Sequence, residues 1–136
     1  MSDNIYDLFR SRFPTDRTRP FLETEDGGIL TYGGLDETVG RYARLLSDLG
    51  VVKGDRVAVQ VEKSAENILL YLAVVRAGAV YLPLNTAYTQ TEVSYFLNDA
   101  EPRVFITDPA DYVAGASQAP LAASVPREDT DLASII

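Results

Sequence analysis

The stretch "RAGAVYLPLN", Arg76 to Asn85, decides the fold. It follows an apolar segment of helical length, and Gly78 is a natural end for that helix because glycine adopts the left-handed conformation at low cost. The β-branched and apolar residues after Gly78 predict a strand. Pro83 has no backbone N–H to donate to a sheet, so it belongs at the end of this strand. The stretch therefore predicts one step of an α/β layer.

The residues before this stretch continue the same alternation of strand and helix. Val57, Val59 and Val61 alternate with Ala and Gln, and their β-branching predicts a strand. Ser64 is a candidate N-cap for the segment "AENILLYLAVVRAG", which is apolar around most of its circumference and is therefore expected to be buried. Arg76 falls in the last turn of that helix, where a cation suits the helix dipole.

The residues after the stretch predict another helix and another strand. Thr89 and Glu92 have the spacing of a capping box, which marks a helix start. The apolar stripe of this helix consists of Val93, Phe96 and Leu97. Pro102 ends the unit, and "RVFITD" reads as a third strand. Strands and helices that alternate with short connections predict a parallel sheet with right-handed crossovers.

The first 50 residues predict three smaller elements. "NIYDLFRSRF" reads as a helix with an apolar face of Ile5, Leu8, Phe9 and Phe13. Two short strands surround Asp26-Gly27-Gly28, which is a hairpin signal. The next helix ends at Gly50 and has an apolar face of Leu35, Val39, Tyr42, Leu46 and Leu49. The predicted fold class is α/β: a βαβαβ parallel-sheet layer with an N-terminal helix and a short hairpin.

Composition excludes several classes of function. The chain has 136 residues, which favours one domain, and its net charge of −8 argues against nucleic acid and anionic membrane partners. It contains no cysteine and no histidine, which rules out disulfides, thiolate nucleophiles and a Ser-His-Asp triad. No apolar run approaches the length of a membrane span, and the N-terminus lacks a signal-peptide core. We therefore expect a cytoplasmic protein.

Open parallel sheets bind ligands beyond the carboxyl ends of their strands. Here those ends are Glu62-Lys63-Ser64, Asn85-Thr86-Ala87 and Thr107-Asp108. Helix capping and turn formation explain the same residues, and that interpretation is favoured. The sequence contains no Walker-type loop, no G-x-G-x-x-G after a strand and no spaced carboxylate pair. No catalytic, cofactor-binding or metal-binding residue is therefore assigned.

Four segments, taken in order, resemble the AMP-forming acyl-CoA synthetases of the adenylate-forming superfamily. They are "LTYGGLDETVGRYARLL", "GVVKGDRVAVQVEKSAE", "YLAVVRAGAVYLPLNTAYTQTEVSYFLNDAEP" and "REDTDLASII". Each segment alone is a weak signal, but their order and spacing cover nearly the whole chain. "VAVQVEKS" and "RAGAVYLPLNTAYT" resemble the malonyl-CoA synthetase branch most. Gly78 and Pro83 match the family pattern as residues that shape the backbone.

This resemblance implies that the chain is a fragment of a larger adenylate-forming N-terminal domain. Residues 1–136 correspond to a partial N-terminal, AMP-binding subdomain. Residues 109–136 are expected to form a weakly structured segment that leads towards the family's phosphate-binding loop, which would begin after Ile136. The resemblance implies ATP, Mg and CoA as cofactors of the parent enzyme and a small carboxylate, malonate or a similar acid, as its substrate. None of these ligands is expected to bind tightly to the fragment, which is expected to be inactive alone.

Two other interpretations remain open. The chain could be a freestanding α/β binding module that has no catalytic activity, or an assembly module that recruits a partner through an exposed sheet edge. The apolar ending "DLASII" favours the fragment, because a self-contained module is expected to finish with polar residues. A fragment would expose part of its apolar surface, so self-association is also expected.

Overall fold

The computed structural model describes residues 4–24 and 26–107. The expected segment at residues 109–136, and Asp108 with it, lies outside the described residues. Four helices and five strands are present in the described part of the chain. In chain order they are α1 Ile5–Ser11, β1 Pro20–Glu23, β2 Ile29–Thr31, α2 Tyr32–Asp48, β3 Arg56–Val59, α3 Ala65–Arg76, β4 Val80–Pro83, α4 Gln90–Ala100 and β5 Val104–Ile106.

The three later strands form the predicted parallel sheet. Its strand order is β4-β3-β5, and Val57 of the central strand pairs with Tyr81 on one side and Val104 on the other. The first two strands pair antiparallel as a separate hairpin, from Pro20 opposite Thr31 to Glu23 opposite Ile29. The predicted fold class, a βαβαβ layer preceded by a helix and a hairpin, is therefore confirmed.

Helices cover both faces of this sheet. The face that carries Val57 and Val59 belongs to the main core, together with buried residues of α2 and α3 such as Leu46, Leu70 and Val74. The opposite face carries Ala58, Leu82 and Leu84, against which the apolar stripe of α4 packs. Successive side chains of β3 therefore lie on opposite faces of the sheet and pack against two different layers of helices.

The predicted helix ends are present. Gly78 has φ of 75° and Gly50 has φ of 90°, the left-handed conformation expected of them. The Ser64 hydroxyl accepts a hydrogen bond of 3.1 Å from the Asn67 N–H and caps α3. Thr89 and Glu92 form both hydrogen bonds of a capping box at the start of α4. These local signals therefore set the helix limits that the sequence predicts.

The predicted apolar face of α1 is wrong in part. Tyr6 is the fully buried residue of this helix, whereas Ile5 is 50% exposed and Leu8 is 62% exposed. Phe9 and Phe13 do pack against the core. The reason lies outside the helix, because the Tyr6 hydroxyl donates a hydrogen bond of 2.7 Å to Asp36 on α2, and this contact turns α1. Similarly, Leu49 is exposed because it is the C-cap of α2 and not part of its buried face.

Arg76 lies in the last turn of α3 as predicted, but its side chain is only 3% exposed. Its Nη1 donates to the Asp36 carbonyl oxygen at 3.0 Å and lies 3.4 Å from the Asp36 carboxylate. The same carboxylate forms an ion pair of 3.2 Å with Arg10 and accepts the Tyr6 hydroxyl. We call Tyr6, Arg10, Asp36 and Arg76 the Asp36 cluster. It joins α1, α2 and α3 through polar contacts.

Asn4 fastens the beginning of the described chain to the end of α3. Its side-chain oxygen accepts a hydrogen bond from the Tyr6 N–H at 2.8 Å and caps α1. Its side-chain nitrogen donates to the Val75 carbonyl at 2.9 Å, in the last turn of α3. One side chain thus satisfies backbone groups at two helix ends.

Over residues 4–24 and 26–107, no helix combines the length and the apolarity needed to cross a membrane.

Candidate functional site

The carboxyl ends of the three parallel strands meet at one edge of the sheet. The Leu84 N–H donates to the Val59 carbonyl at 2.8 Å, and the Gln60 N–H donates to the Ile106 carbonyl at 2.8 Å. The residues that leave β3, β4 and β5 are therefore held side by side. We call this the carboxyl edge, and it is where an open parallel sheet offers a ligand site.

A tight turn at residues 85–88 rises from this edge, and we call it the edge turn. The Asn85 carbonyl accepts the Tyr88 N–H at 3.0 Å, and the Asn85 side-chain oxygen accepts the Ala87 N–H at 2.8 Å. The Asn85 carbonyl also accepts a hydrogen bond of 3.0 Å from the Gln60 side-chain nitrogen. The Tyr88 ring stacks on Phe96 of α4, with the ring centroids 5.3 Å apart. The turn is thus connected both to β3 and to α4.

The exit of β3 continues into a cleft of about 430 Å³ between the hairpin and the start of α3. Lys63 and Ser64 contribute to its wall, but the Ser64 hydroxyl is occupied as the cap of α3. Across the cleft, Asp26 accepts hydrogen bonds from the Thr24 hydroxyl and the Gly28 N–H. The Thr24 hydroxyl bond, followed by the Gly28 bond, lowers the pKa of the Asp26 carboxyl. Asp26 therefore stabilises the hairpin turn as a carboxylate and is not poised for proton transfer.

The candidate site residues from the sequence have different positions and roles in the structure. Ser64 caps a helix and Asn85 builds a turn, as the favoured interpretation holds. Thr107 is exposed directly after β5, beside the ladder that joins β5 to Gln60. The sequence does not identify Gln60 as a contact residue, because it lies between Val59 and Val61 in the predicted alternation. Its partner lies 25 positions further along the chain, so no local signal identifies the contact.

A second concavity, of about 270 Å³, lies between β4 and α4 and is mainly apolar. It is lined by Arg56, Leu82, Pro83, Leu84, Tyr88, Phe96, Asp99 and Ala100. Within the described ranges, no three His, Cys, Asp or Glu residues gather to hold a metal ion. The described carboxyl edge provides backbone hydrogen-bonding groups that cross-strand contacts hold in place.

Comparison with known proteins identifies the family. The model of the AMP-binding enzyme family matches residues 9–135. The chain belongs to the AMP-binding enzyme family. The match extends over nearly the whole sequence and includes every strand of the sheet, so the family that the sequence resembles is confirmed.

Curated relatives in this family include CoA ligases. The chain is 39% identical over 110 residues to the oxalate--CoA ligase of Arabidopsis thaliana, which covers 78% of this chain and 21% of the relative. It is 44% identical over 80 residues to the probable CoA ligase CCL9 of Humulus lupulus, which covers 59% of this chain and 15% of the relative. The chain thus spans about a fifth or less of the length of these relatives.

Solved structures of the family superpose on the entire chain. Apo MatB from Rhodopseudomonas palustris matches with a TM-score of 0.92 and 36% identity, over 100% of this chain and 32% of that chain. ATP bound MatB from the same organism matches with a TM-score of 0.90 and 38% identity, over the same shares. The described fold is therefore the fold of about one third of MatB.

Proposed function

We propose that this chain is the N-terminal portion of an ATP-dependent, AMP-forming acyl-CoA synthetase. The observation that carries the proposal is the superposition of the entire chain on about a third of MatB with 36% identity. The family match over residues 9–135 and the two CoA ligase relatives support the same conclusion. The cytoplasmic location expected from the sequence stays a prediction.

The proposed reaction of the longer enzyme has two halves. The substrate carboxylate attacks the α-phosphorus of ATP, which gives an acyl-adenylate and releases pyrophosphate. The CoA thiol then attacks the acyl carbon, which forms the thioester and releases AMP. Positioning and charge neutralisation around the phosphates lower the barrier to the first half.

The described residues support a scaffolding role in this reaction. Among them, no three His, Cys, Asp or Glu residues gather to hold a metal ion such as Mg²⁺. They do contain a carboxyl edge whose backbone groups are fixed by cross-strand hydrogen bonds. We infer that this third of the enzyme holds the edge rigid, while contacts to the phosphates of ATP and to its metal come from other segments.

The proposed substrate is malonate or a similarly short dicarboxylate. The resemblance of "VAVQVEKS" and "RAGAVYLPLNTAYT" to the malonyl-CoA synthetase branch supports this assignment. The relative named as an oxalate--CoA ligase supports the same chemical class, because oxalate is also a short dicarboxylate.

A chimera tests the proposed function. The matching third of R. palustris MatB is replaced by this chain, and ATP–pyrophosphate exchange is measured with malonate, oxalate and acetate. We expect exchange with a dicarboxylate and little with acetate. A folded chimera that exchanges with none of these acids contradicts the proposed function.

We also propose that the 136-residue chain alone neither adenylates a carboxylate nor forms a thioester. The reason is that the sequence contains no Walker-type loop and that, among the described residues, no three His, Cys, Asp or Glu residues gather to hold a metal ion. The same pyrophosphate-exchange assay on the isolated chain is expected to give the rate of the protein-free control. A rate above that control, retained through purification, contradicts this proposal.

A further inference from the structure

We propose that Gln60 is a positioning residue, which holds the edge turn at residues 85–88 in the geometry that the enzyme needs. This inference rests on the proposed function and goes further by assigning a role to one side chain of the carboxyl edge. The role is mechanical, because Gln60 acts through the backbone of the turn.

Gln60 lies between the ends of the three parallel strands. It follows β3, the central strand, and its N–H continues the ladder by donating to the Ile106 carbonyl of β5 at 2.8 Å. Its side chain extends the other way and donates to the Asn85 carbonyl beyond β4 at 3.0 Å. One residue therefore connects the exits of all three strands.

The acceptor of the Gln60 side chain has a second hydrogen bond. The Asn85 carbonyl also closes the edge turn by accepting the Tyr88 N–H at 3.0 Å. The hydrogen bond from the Tyr88 N–H sets the shape of the turn, whereas the hydrogen bond from Gln60 fixes the position of the turn relative to the sheet. Loss of the Gln60 donor leaves the turn able to close but removes its side-chain tie to β3.

The edge turn is directly connected to the start of α4. Tyr88 stacks on Phe96, and Thr89 follows directly as the N-cap of α4. A displaced turn therefore moves a ring and a helix start at the edge where parallel sheets bind ligands. Because displacements of about 1 Å near reacting groups reduce rates severely, a tie of this kind matters more to activity than to stability.

The test on this chain uses two variants and a control. Gln60→Met keeps the volume and removes the donor, and Gln60→Lys supplies a donor again. Tyr6→Phe is the control, since it deletes a hydrogen bond of 2.7 Å in the Asp36 cluster, away from the carboxyl edge. Amide hydrogen exchange of residues 85–88 is measured for each variant.

We expect exchange at Ala87 and Tyr88 to be faster in Gln60→Met by about threefold or more, because local opening becomes easier when a tie is lost. Gln60→Lys is expected to restore part of the protection, and Tyr6→Phe to leave it unchanged. Equal exchange in Gln60→Met and the unmodified chain overturns the proposal.

The same variants in the MatB chimera test the consequence for catalysis. Gln60→Met is expected to lower kcat/KM for acyl-CoA formation by about tenfold or more, with less effect from Gln60→Lys and Tyr6→Phe. A reduction no larger than that of Tyr6→Phe overturns the positioning role. Inactivity of the unmodified chimera would count against the proposed function, and the hydrogen-exchange result would still decide whether Gln60 holds the turn.

Discussion

Asp36 is one carboxylate that three side chains from two helices contact. Tyr6 and Arg10 reach it from α1, and the buried Arg76 reaches it from α3. An arginine whose side chain is 3% exposed needs such a partner, since an uncompensated buried charge is strongly destabilising. The sequence places Arg76 correctly in the last turn of its helix, but it cannot identify Asp36 as the partner, because 40 positions separate the two residues.

Replacement of Asp36 tests the energy of this cluster. Asp36→Asn removes the charge that Arg10 and Arg76 face, so we expect the free energy of unfolding to fall by about 2 to 3 kcal/mol. Urea denaturation monitored by circular dichroism measures the change.

Glu37→Gln is the matched control for that experiment. Glu37 pairs with Arg41 one turn along the exposed side of α2, so its loss is expected to cost about 0.5 kcal/mol or less. Equal effects of the two substitutions would show that burial adds nothing to the Asp36 contacts.

Tyr6 gives the protein a dependence on alkaline pH. Burial, followed by the hydrogen bond to Asp36, raises the pKa of the Tyr6 hydroxyl above its ordinary value. The folded protein therefore keeps a proton that the unfolded chain loses near pH 10. The stabilising contribution is complete below about pH 10 and is lost as pH rises through the folded-state pKa.

Urea titrations at about pH 9 and about pH 11 measure this effect. The free energy of unfolding is expected to fall between them, by up to about 1.4 kcal/mol per pH unit from Tyr6. Tyr6→Phe should weaken this dependence, while the contributions of Tyr42 and Tyr81, whose pKa values are also raised by burial, remain. An unchanged pH dependence in Tyr6→Phe contradicts the assignment.

At the scale of elements, local signals predict where helices begin and end. Ser64, Thr89 and Gly78 act within a few residues of their own positions, so the sequence suffices to identify them. The orientation of α1 is different, because its seven residues are turned by contacts with α2 and α3. Tyr6 of α1 is buried because its hydroxyl group contacts Asp36. A pattern of apolar residues does not predict a contact of this kind.

The capping box of α4 provides a prediction for a single helix. Thr89→Ala removes the hydroxyl that accepts the Glu92 N–H at 3.2 Å, so the free energy of unfolding is expected to fall by about 1 kcal/mol. Thr91→Ala, two positions further and exposed, is the control and should be neutral or slightly stabilising. Thermal denaturation compares the two variants, and equal losses would contradict a capping role.

At the scale of the whole molecule, alternation of apolar strands and helices predicts the parallel sheet. It does not predict the strand order β4-β3-β5 or the tie from Gln60 to Asn85, because both are set by contacts between distant segments. The candidate site follows the same division. The topology of the sheet predicts that the site lies at the carboxyl edge. Gln60, which holds the edge turn, can be identified only from the three-dimensional structure.

Self-association, expected from the sequence, is a prediction at this scale. Phe105 of the outer strand β5 is 38% exposed and Tyr95 of α4 is 68% exposed. Sedimentation velocity of the isolated chain is expected to show species that grow with concentration. Phe105→Lys, which adds a charge to that strand, should reduce them. A monomer at every concentration in the unmodified chain contradicts the prediction.

The position of β3 has a consequence for how the protein is made. β3 is the earliest of the three parallel strands in the chain and also the central one. During synthesis on the ribosome, β4 and later β5 each emerge after the strand with which they pair. The sheet can therefore grow outward from β3, the strand that is synthesised first. Neither β4 nor β5 has to displace a strand that is already paired.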